Sequence, residues 1–461
     1  MKSVALHNLG CKVNSYELDY MQQALRERGY KIVPFDDAAD IYIVNTCTVT
    51  NIADRKSRQM LHRAKKRNPD AVVVAVGCYV QTGGADLCRD EAVDLAIGNN
   101  RKKDLVEILE TYLKERKQDR VRTAAGEKGK EARMPEAELP APSVKIDRID
   151  IDHAPYEEMT LKTTAEHTRA YSKIQDGCNQ FCSYCIIPYA RGRVRSRREE
   201  DILGEARGMA AAGYREVVLT GIHIGSYGID RGGSELARLL ARLSEIEGIE
   251  RIRLGSLEPG IVTEDFAACI GDLPKVCPHF HLSLQSGSDT VLRRMNRRYD
   301  TKGYYEAVER LRKFYEHPAI TTDVIVGFPG ETEREFGQTE DFLKRVGFYE
   351  MHIFKYSRRK GTRAADMEGQ LSEAEKALRS DRLMRLEKEL SRAYRESFLG
   401  KREQVLFEEA VLIGEKTLWV GHTPHYIKVA KEAAAGEDLH NRLLSCRLES
   451  FIGEEILRGE T

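Results

Sequence analysis

At 461 residues the chain is long enough for two or three domains, each with its own core, which argues against a single domain. Lys plus Arg and Asp plus Glu balance at 73 each, so a general positive field is excluded and any nucleic acid must be held by local basic patches. The start, Met1-Lys-Ser-Val-Ala-Leu-His-Asn8, turns polar too early for a signal sequence, and no apolar run approaches membrane-spanning length, so no membrane attachment is expected. Ten cysteines include two separated groups that read as ligands, and such thiolates persist only in a reducing compartment, which points to a cytoplasmic location.

Three apolar runs open the chain, Ser3 to Leu9, Asp40 to Val44 and Ala71 to Val76, with amphipathic stretches Tyr16 to Glu27 and Asp54 to Lys66 between them. This β-α-β-α-β pattern predicts a parallel sheet with crossover helices, whose ligands collect at the carboxyl ends of the strands. A cysteine stands at each of those ends: Cys11, Cys47 and Cys78. Three thiols at the same phase of three consecutive strands can converge on one edge and hold a cluster. By contrast, Cys88, Cys269, Cys277 and Cys446 read as small apolar packing residues. The stretches Leu9-Gly-Cys-Lys-Val-Asn14 with Tyr16-Glu17, Asn45-Thr-Cys-Thr-Val49 and Gly77-Cys78 resemble the amino-terminal domain of the methylthiotransferases. The resemblance implies that Cys11, Cys47 and Cys78 carry an auxiliary iron–sulfur cluster on a Rossmann-like domain spanning 1–115.

Residues 116–164 run through mixed charge and then Gly126, Gly129, Pro135, Pro140 and Pro142 without sustained periodicity, which reads as a linker, with a short edge strand at Ile146 to Ile151.

Residues 165–395 open on the strand-like run Ala170 to Ile174 and a loop bearing Cys178, Cys182 and Cys185 in C-x3-C-x2-C spacing. Gly177 allows the sharp bend that wraps sulfur ligands around a cluster. Three cysteines with no fourth nearby leave one iron of a four-iron cluster open to a reacting ligand. Zinc or free thiols are the alternatives, but zinc sites usually add a second distant pair. The spacing resembles that of the radical S-adenosylmethionine enzymes, in which the open iron chelates the cofactor's methionine end. There Tyr184 takes the place of an aromatic residue close to the cofactor, against the plain alternative of packing.

Further strand-like runs at Glu216 to Thr220, Arg251 to Leu254, His279 to Leu284, Ile320 to Val326 and Glu350 to Tyr356 alternate with helical patterns such as Glu200 to Ala211. Repeated βα units predict a barrel or open barrel with its chemistry at the strands' carboxyl ends. The strand-end residues Thr220, Gly221, Glu258, Gln285, Asp323 and Gly327 are the candidate cofactor contacts. The stretches Leu-Glu258-Pro259, Ser283-Leu-Gln-Ser-Gly-Ser288, Arg294-Met-Asn-Arg-Arg-Tyr299 and Thr322-Asp-Val-Ile-Val-Gly-Phe-Pro-Gly-Glu331 are similar to the methylthiotransferase catalytic core. The basic run Arg191-Gly-Arg-Val-Arg-Ser-Arg-Arg198 reads either as a solvated loop or as a contact for RNA or cofactor phosphates.

Residues 396–461 offer short strand candidates at Val405 to Glu409, Trp419 to Val420, Tyr426 to Ala430 and Leu443 to Glu449, predicting a small β-barrel. Gly400-Lys-Arg-Glu-Gln-Val-Leu-Phe-Glu408 with Gly421-His-Thr-Pro-His-Tyr-Ile-Lys-Val429 resembles the TRAM domain, an RNA-binding module. From Gly400 onward eight Lys or Arg face eleven Asp or Glu, so RNA affinity must come from a local face including Tyr426 and Lys428.

The expected fold class is therefore α/β: the Rossmann-like domain, a partial (β/α) radical SAM barrel and a TRAM-like β-barrel. The resemblance implies two 4Fe-4S clusters, S-adenosyl-L-methionine, a tRNA substrate engaged at its anticodon region, and an electron donor such as flavodoxin or ferredoxin. Leu9-Gly-Cys-Lys-Val-Asn14 with Asn45-Thr-Cys-Thr-Val-Thr50 looks most like the branch acting on N(6)-threonylcarbamoyladenosine at position 37. Isopentenyladenosine and a ribosomal-protein aspartate are the alternative substrates, and a non-catalytic iron–sulfur RNA-binding or redox-sensing protein is the alternative class.

Overall fold

The computed structural model describes residues 2–83, 87, 89–124, 145–147, 150, 152–162, 168–434 and 436–461. Cys88 and most of the expected linker lie outside the described residues. The chain divides into two units, Met1–Leu161 with Ile186–Arg193, and Lys162–Cys185 with Val194–Thr461. No helix among the described residues is long and apolar enough to cross a membrane.

In the first unit, β1 (Ser3–Asn8), β2 (Lys31–Val33), β3 (Ile41–Thr46), β4 (Val72–Gly77), β5 (Leu95–Ile97) and β6 (Lys145–Asp147) pair in parallel in the order β2-β1-β3-β4-β5-β6. The three strands read from the apolar runs form its centre, because β3 and β4 are buried on both faces and so read as unbroken apolar stretches. Alternation along the strands splits the core in two. Ile41, Ile43, Val72 and Val74 pack with Met21, Leu25, Leu105 and Leu109 on one face. Tyr42, Val44, Val73 and Ala75 pack with Leu61 and Ala64 on the other. Each such apolar side chain contributes about 1.5–3 kcal/mol on burial.

The helix Asn51–Arg67 begins where the Thr50 hydroxyl accepts the Ala53 N–H at 3.1 Å, satisfying one of the unpaired first-turn amides. The helix Leu105–Ala124 runs past residue 115, and β6 extends the sheet from within the segment read as a linker. Strand order reverses direction between β1 and β3, and in doubly wound sheets that reversal opens a crevice beyond the carboxyl ends.

The second unit holds two three-stranded parallel sheets. One has β7 (Ala170–Lys173) beside β10 (Glu216–Thr220) and β11 (Arg251–Leu254); the other has β12 (His279–His281), β13 (Ala319–Val326) and β14 (Glu350–Lys355). A parallel bridge between Leu257 and Leu282 joins them, with Leu257 N donating to His281 O at 2.8 Å. Helices intervene between successive strands, giving the partial (β/α) barrel expected. The short ribbon of β8 (Gln175–Asp176) and β9 (Arg195–Ser196) brackets the cysteine loop.

The chain ends in a closed barrel of β15 (Arg402–Ile413), β16 (Lys416–His422), β17 (Lys428–Lys431), β18 (Leu443–Ile452) and β19 (Ile456–Glu460), in the order β15-β16-β17-β19-β18. Closure removes the sheet edges, and β19, a strand with no apolar run to announce it, completes the ring. Tyr426 does not form the free aromatic face expected of it. Its ring stacks on His279 at 4.9 Å and His422 at 4.6 Å, with the Arg169 and Arg253 guanidinium groups at 5.1 and 4.9 Å. Those partners bind the barrel to the floor of the half-barrel, where Arg253 also reaches buried Glu216 at 2.6 Å and the carbonyl of Pro424 at 2.9 Å. Aromatic stacking with cations is stronger in such a dry setting than on a wet surface, so the ring is committed to packing.

Candidate metal centres

Cys11, Cys47 and Cys78 stand at the carboxyl ends of β1, β3 and β4, at the reversal of strand order. Each leaves its strand through a polar scaffold. Gly77 has φ +101°, a conformation that strains other residues, and a Cβ there would meet Asn45 Oδ1 at 2.8 Å. A Cβ on Gly10 would lie 3.2 Å from that of Cys47, which measures how close the first two loops approach. Burial pushes the Cys47 thiol up to about 11, the Val49 N–H opposes this, and Cys78 and Cys11 add to the rise because their thiols are neighbours. Three converging thiols, with the buried Cys47 resisting ionisation in the absence of a cation, fit an iron–sulfur cluster, whose iron supplies the missing positive charge.

The scaffold rests on polar residues at buried positions of the first helix, Lys12–Glu27. Asn14 Nδ2 donates to the carbonyls of Leu9 at 2.7 Å and Thr46 at 3.1 Å, tying the loops of Cys11 and Cys47 together. Asn45 Nδ2 donates to Asn14 O at 2.8 Å, and the Cys47 N–H meets Ser57 Oγ at 3.3 Å. Behind them Arg191 donates to Asn14 Oδ1 at 2.7 Å and to Glu17 at 2.8 and 3.1 Å, and Glu17 also pairs with Lys102. Asn99 Nδ2 donates to Cys78 Sγ at 3.5 Å and to Ala190 O at 2.7 Å.

The second triad lies on one loop, entered through Gly177 at φ +73°. The Cys185 N–H donates to Cys182 O at 3.0 Å, and the Gln180 N–H reaches Cys178 Sγ at 3.5 Å. Burial pushes Cys178 up to about 11, opposed by that Gln180 amide and by Arg297, with Cys182 adding to the rise. The three-thiol donor set thus fits a cluster here as well.

Contacts from distant loops hold this one. Ser183 N–H and Oγ donate to the carbonyls of Met295 at 3.0 Å and Arg294 at 2.8 Å, Asn296 Nδ2 donates to Phe181 O at 3.0 Å, and Ala364 N–H donates to Ser183 O at 2.8 Å. Arg297 donates to Cys182 Sγ at 3.1 Å and pairs with Glu258 at 2.8 Å, while Glu258 also takes Gln180 Nε2 at 2.8 Å and lies 3.2 Å from His223 Nε2. Although burial opposes it, hydrogen bonding to His223 and the Arg297 charge hold the Glu258 carboxyl below its usual value.

Thr220, Gly221, Glu258, Gln285 and Gly327 fall at or just beyond the carboxyl ends of the half-barrel strands, whereas Asp323, expected at a strand end, lies inside the ladder of β13 because that strand runs on to Val326. Tyr184 is half-buried and packs against Val291, Met295, Phe328, Tyr356 and Ala364, an apolar wall beside the cysteines. Thr220 is buried and its carbonyl takes the Ile174 N–H at 2.9 Å. Gly221 leaves room for Ile224 Cγ2 and Gln175 O, which a Cβ would meet at 2.9 and 3.0 Å. Gln285 holds φ +73°, its N–H donating to Asp323 O at 2.8 Å. Gly327 gives its N–H to Glu331 at 2.7 Å and its empty side to Lys376.

The arginine run is neither a solvated loop nor a free phosphate contact at three of its five arginines. Arg191 is spent on Glu17, Arg197 is buried on Glu205 at 2.7 Å, and Arg195 is buried 4.0 Å from Asp176. Sequence reading also passed over Asn14, Glu17, Lys102, Asn99 and Arg297. For the first two a signal existed, since they occupy apolar phases of an amphipathic helix beside buried Val13 and Tyr16.

Residues 172–343 match the model of the Radical SAM superfamily, and residues 3–98 that of Uncharacterized protein family UPF0004. Curated relatives include the threonylcarbamoyladenosine tRNA methylthiotransferase MtaB of Bacillus subtilis (strain 168), 38% identical over 97% of this chain and 94% of its own length. The protein of the same name from Aquifex aeolicus (strain VF5) is 39% identical over 93% and 96%. A tRNA-2-methylthio-N(6)-dimethylallyladenosine synthase of Moorella thermoacetica is 36% identical over 88% and 87%. Among solved structures, the radical S-adenosylmethionine methyltransferase TsrM of Kitasatospora setae shares the fold at a TM-score of 0.52, with 18% identity over 77% of this chain and 73% of its own.

Proposed function

This chain belongs to the radical SAM methylthiotransferase family, and we propose on that premise that it converts N(6)-threonylcarbamoyladenosine at tRNA position 37 to its 2-methylthio derivative. The observation that carries the reading is the pair of separate three-thiol sites, each built at the carboxyl edge of a parallel sheet, in a chain whose relatives of that name match it nearly end to end. When bound, a four-iron cluster with S-adenosylmethionine at the second triad and a four-iron cluster at the first supply the radical and sulfur chemistry that places a methylthio group on an unactivated carbon.

The chain's own residues prepare that chemistry. Arg297 sets a charged hydrogen-bond donor on Cys182 Sγ, and Glu258 with His223 holds the guanidinium in place. Tyr184, Phe328 and Tyr356 form an apolar wall that keeps water from the reacting carbon. Thr220, Gly221, Glu258, Gln285 and Gly327 form the rim that takes the cofactor, with Asp323 joining it through its main-chain carbonyl. Asn14 and Asn45 keep the Cys11 and Cys47 loops at one spacing, so that the first site is formed before its cluster arrives.

The substrate acts as tRNA at its anticodon region, electrons come from a donor such as flavodoxin or ferredoxin, and the enzyme works in the cytoplasm. The C-terminal barrel is assigned to RNA through Lys428 and neighbouring polar residues, without Tyr426. The relatives named for dimethylallyladenosine favour a second reading in which an isopentenyl nucleoside is the substrate. Nucleoside mass spectrometry of tRNA from a strain lacking this gene decides between them. Loss of the 2-methylthio threonylcarbamoyl nucleoside with accumulation of its unthiolated precursor supports the first. Loss of the methylthio isopentenyl nucleoside supports the second, and unchanged tRNA rejects both.

A further inference from the structure

We propose that His281, Asp323 and His352 form a binding site for one divalent transition-metal ion, separate from both cysteine triads. The three residues come from neighbouring parallel strands, and the register sets them together. His281 pairs with Thr321 across β12 and β13, and Asp323 pairs with His352 across β13 and β14. Side chains two apart on a strand share a face, so His281, Asp323 and His352 project from one face of the sheet. Their ligand atoms all lie within 4.8 Å of one another. Ile325, two residues beyond Asp323 on the same face, packs in the apolar cluster that includes Tyr184 and Phe328. The triad therefore lies deeper along the face that meets the cysteine loop.

Donor chemistry and geometry agree. Two imidazoles and one carboxylate are the borderline nitrogen and oxygen set that zinc, iron(II) and cobalt(II) prefer, and three protein ligands leave coordination positions open. His281 Nε2 and Asp323 Oδ2 are 3.3 Å apart. Two ligands bound at about 2.1 Å to one ion are separated by roughly 3.0–3.4 Å, so this pair already has the spacing of adjacent ligands. The Thr321 hydroxyl lies 3.0 Å from His281 Nδ1. When that hydroxyl accepts the Nδ1 proton, Nε2 is left as a ligand on the side of Asp323, the outer-sphere contact that orients metal-bound histidines. His352 completes the set, its ring 5.9 Å from that of His281 at an interplanar angle of 30°.

The test uses the chain with both clusters in place, so that the cysteines are occupied. After equilibration with zinc and removal of free metal, elemental analysis is expected to find about one zinc per chain. Asp323→Asn and His352→Ala are each expected to lose it, with iron content and melting temperature held at the parent values. Zinc K-edge absorption is expected to give a nitrogen and oxygen first shell. Absence of zinc from the parent, its retention in His352→Ala, or sulfur in its first shell would each overturn the proposal.

Discussion

The two cysteine triads reach the same donor set by opposite routes. Cys11, Cys47 and Cys78 are far apart in sequence and meet because a parallel sheet brings three strand ends to one edge, so the sheet's core sets their spacing. Cys178, Cys182 and Cys185 are neighbours in sequence, yet their loop is closed only by the two-residue ladder of β8 and β9 and is held from outside by Arg294 to Arg297 and Ala364. A site made by a sheet is as stable as the sheet, while a site made by a loop depends on each clamp.

Removing the ligands themselves gives the largest contrast. Replacing Cys178, Cys182 and Cys185 together by Ala is expected to abolish S-adenosylmethionine cleavage while leaving about four of eight irons per chain. Replacing Cys11, Cys47 and Cys78 instead is expected to preserve cleavage and abolish thiolated product. Iron analysis with chromatography of 5′-deoxyadenosine reads both, and loss of all iron in either variant would break the independence of the sites.

The supports come next. Glu17→Ala leaves Arg191 and Lys102 buried without their carboxylate, and removing one partner of a buried pair costs about 3–5 kcal/mol, so the first unit should melt early by urea titration. Arg297→Met is expected to act on its own loop. It strips a hydrogen bond from Cys182 Sγ and moves the midpoint potential of the cluster there to more negative values, as redox-titrated electron paramagnetic resonance would record. An unchanged potential would show that the loop does not depend on that clamp.

The floor beneath the second site sets a pH limit. Burial raises the Glu216 carboxyl, but Arg253, Arg169 and Arg251 outweigh it and hold the group down at about 2, below its ordinary 4.5. A depressed carboxylate stabilises the fold above its unfolded value, and that contribution is lost as pH falls from about 4.5 toward 2. Glu216→Gln should flatten acid unfolding of the parent across this window when followed by circular dichroism. The smallest effect is expected of Asn99→Leu, which loses the hydrogen bonds to Ala190 O and Cys78 Sγ and should cost about 1–2 kcal/mol in chemical denaturation.

The sequence announced the elements wherever burial leaves a mark in composition. β3 and β4 read as apolar runs because both faces are covered, and β10 fell at its observed residues for the same reason, while β11 fell at its own through the alternation Arg251-Ile-Arg-Leu254. β19 and β2 left no such mark: the first alternates across a barrel wall, and the second is a three-residue edge strand. Charge was the least legible property. Arg191, Arg195 and Arg197 looked like a wet basic run, since a cation's sequence neighbours do not reveal whether a carboxylate from another element meets it.

By itself, then, the sequence determined the chemistry of the ligands, through cysteine spacing and the phase of each cysteine on its strand, because these are local properties of the chain. Only the tertiary structure decided which polar residues serve those ligands. Asn14, Glu17 and Lys102 behind the first triad, Arg297 on the second, and the meeting of His281, Asp323 and His352 all depend on strand order and register. Packing brings residues tens to hundreds of positions apart within hydrogen-bonding reach, and no periodicity along the chain records that approach.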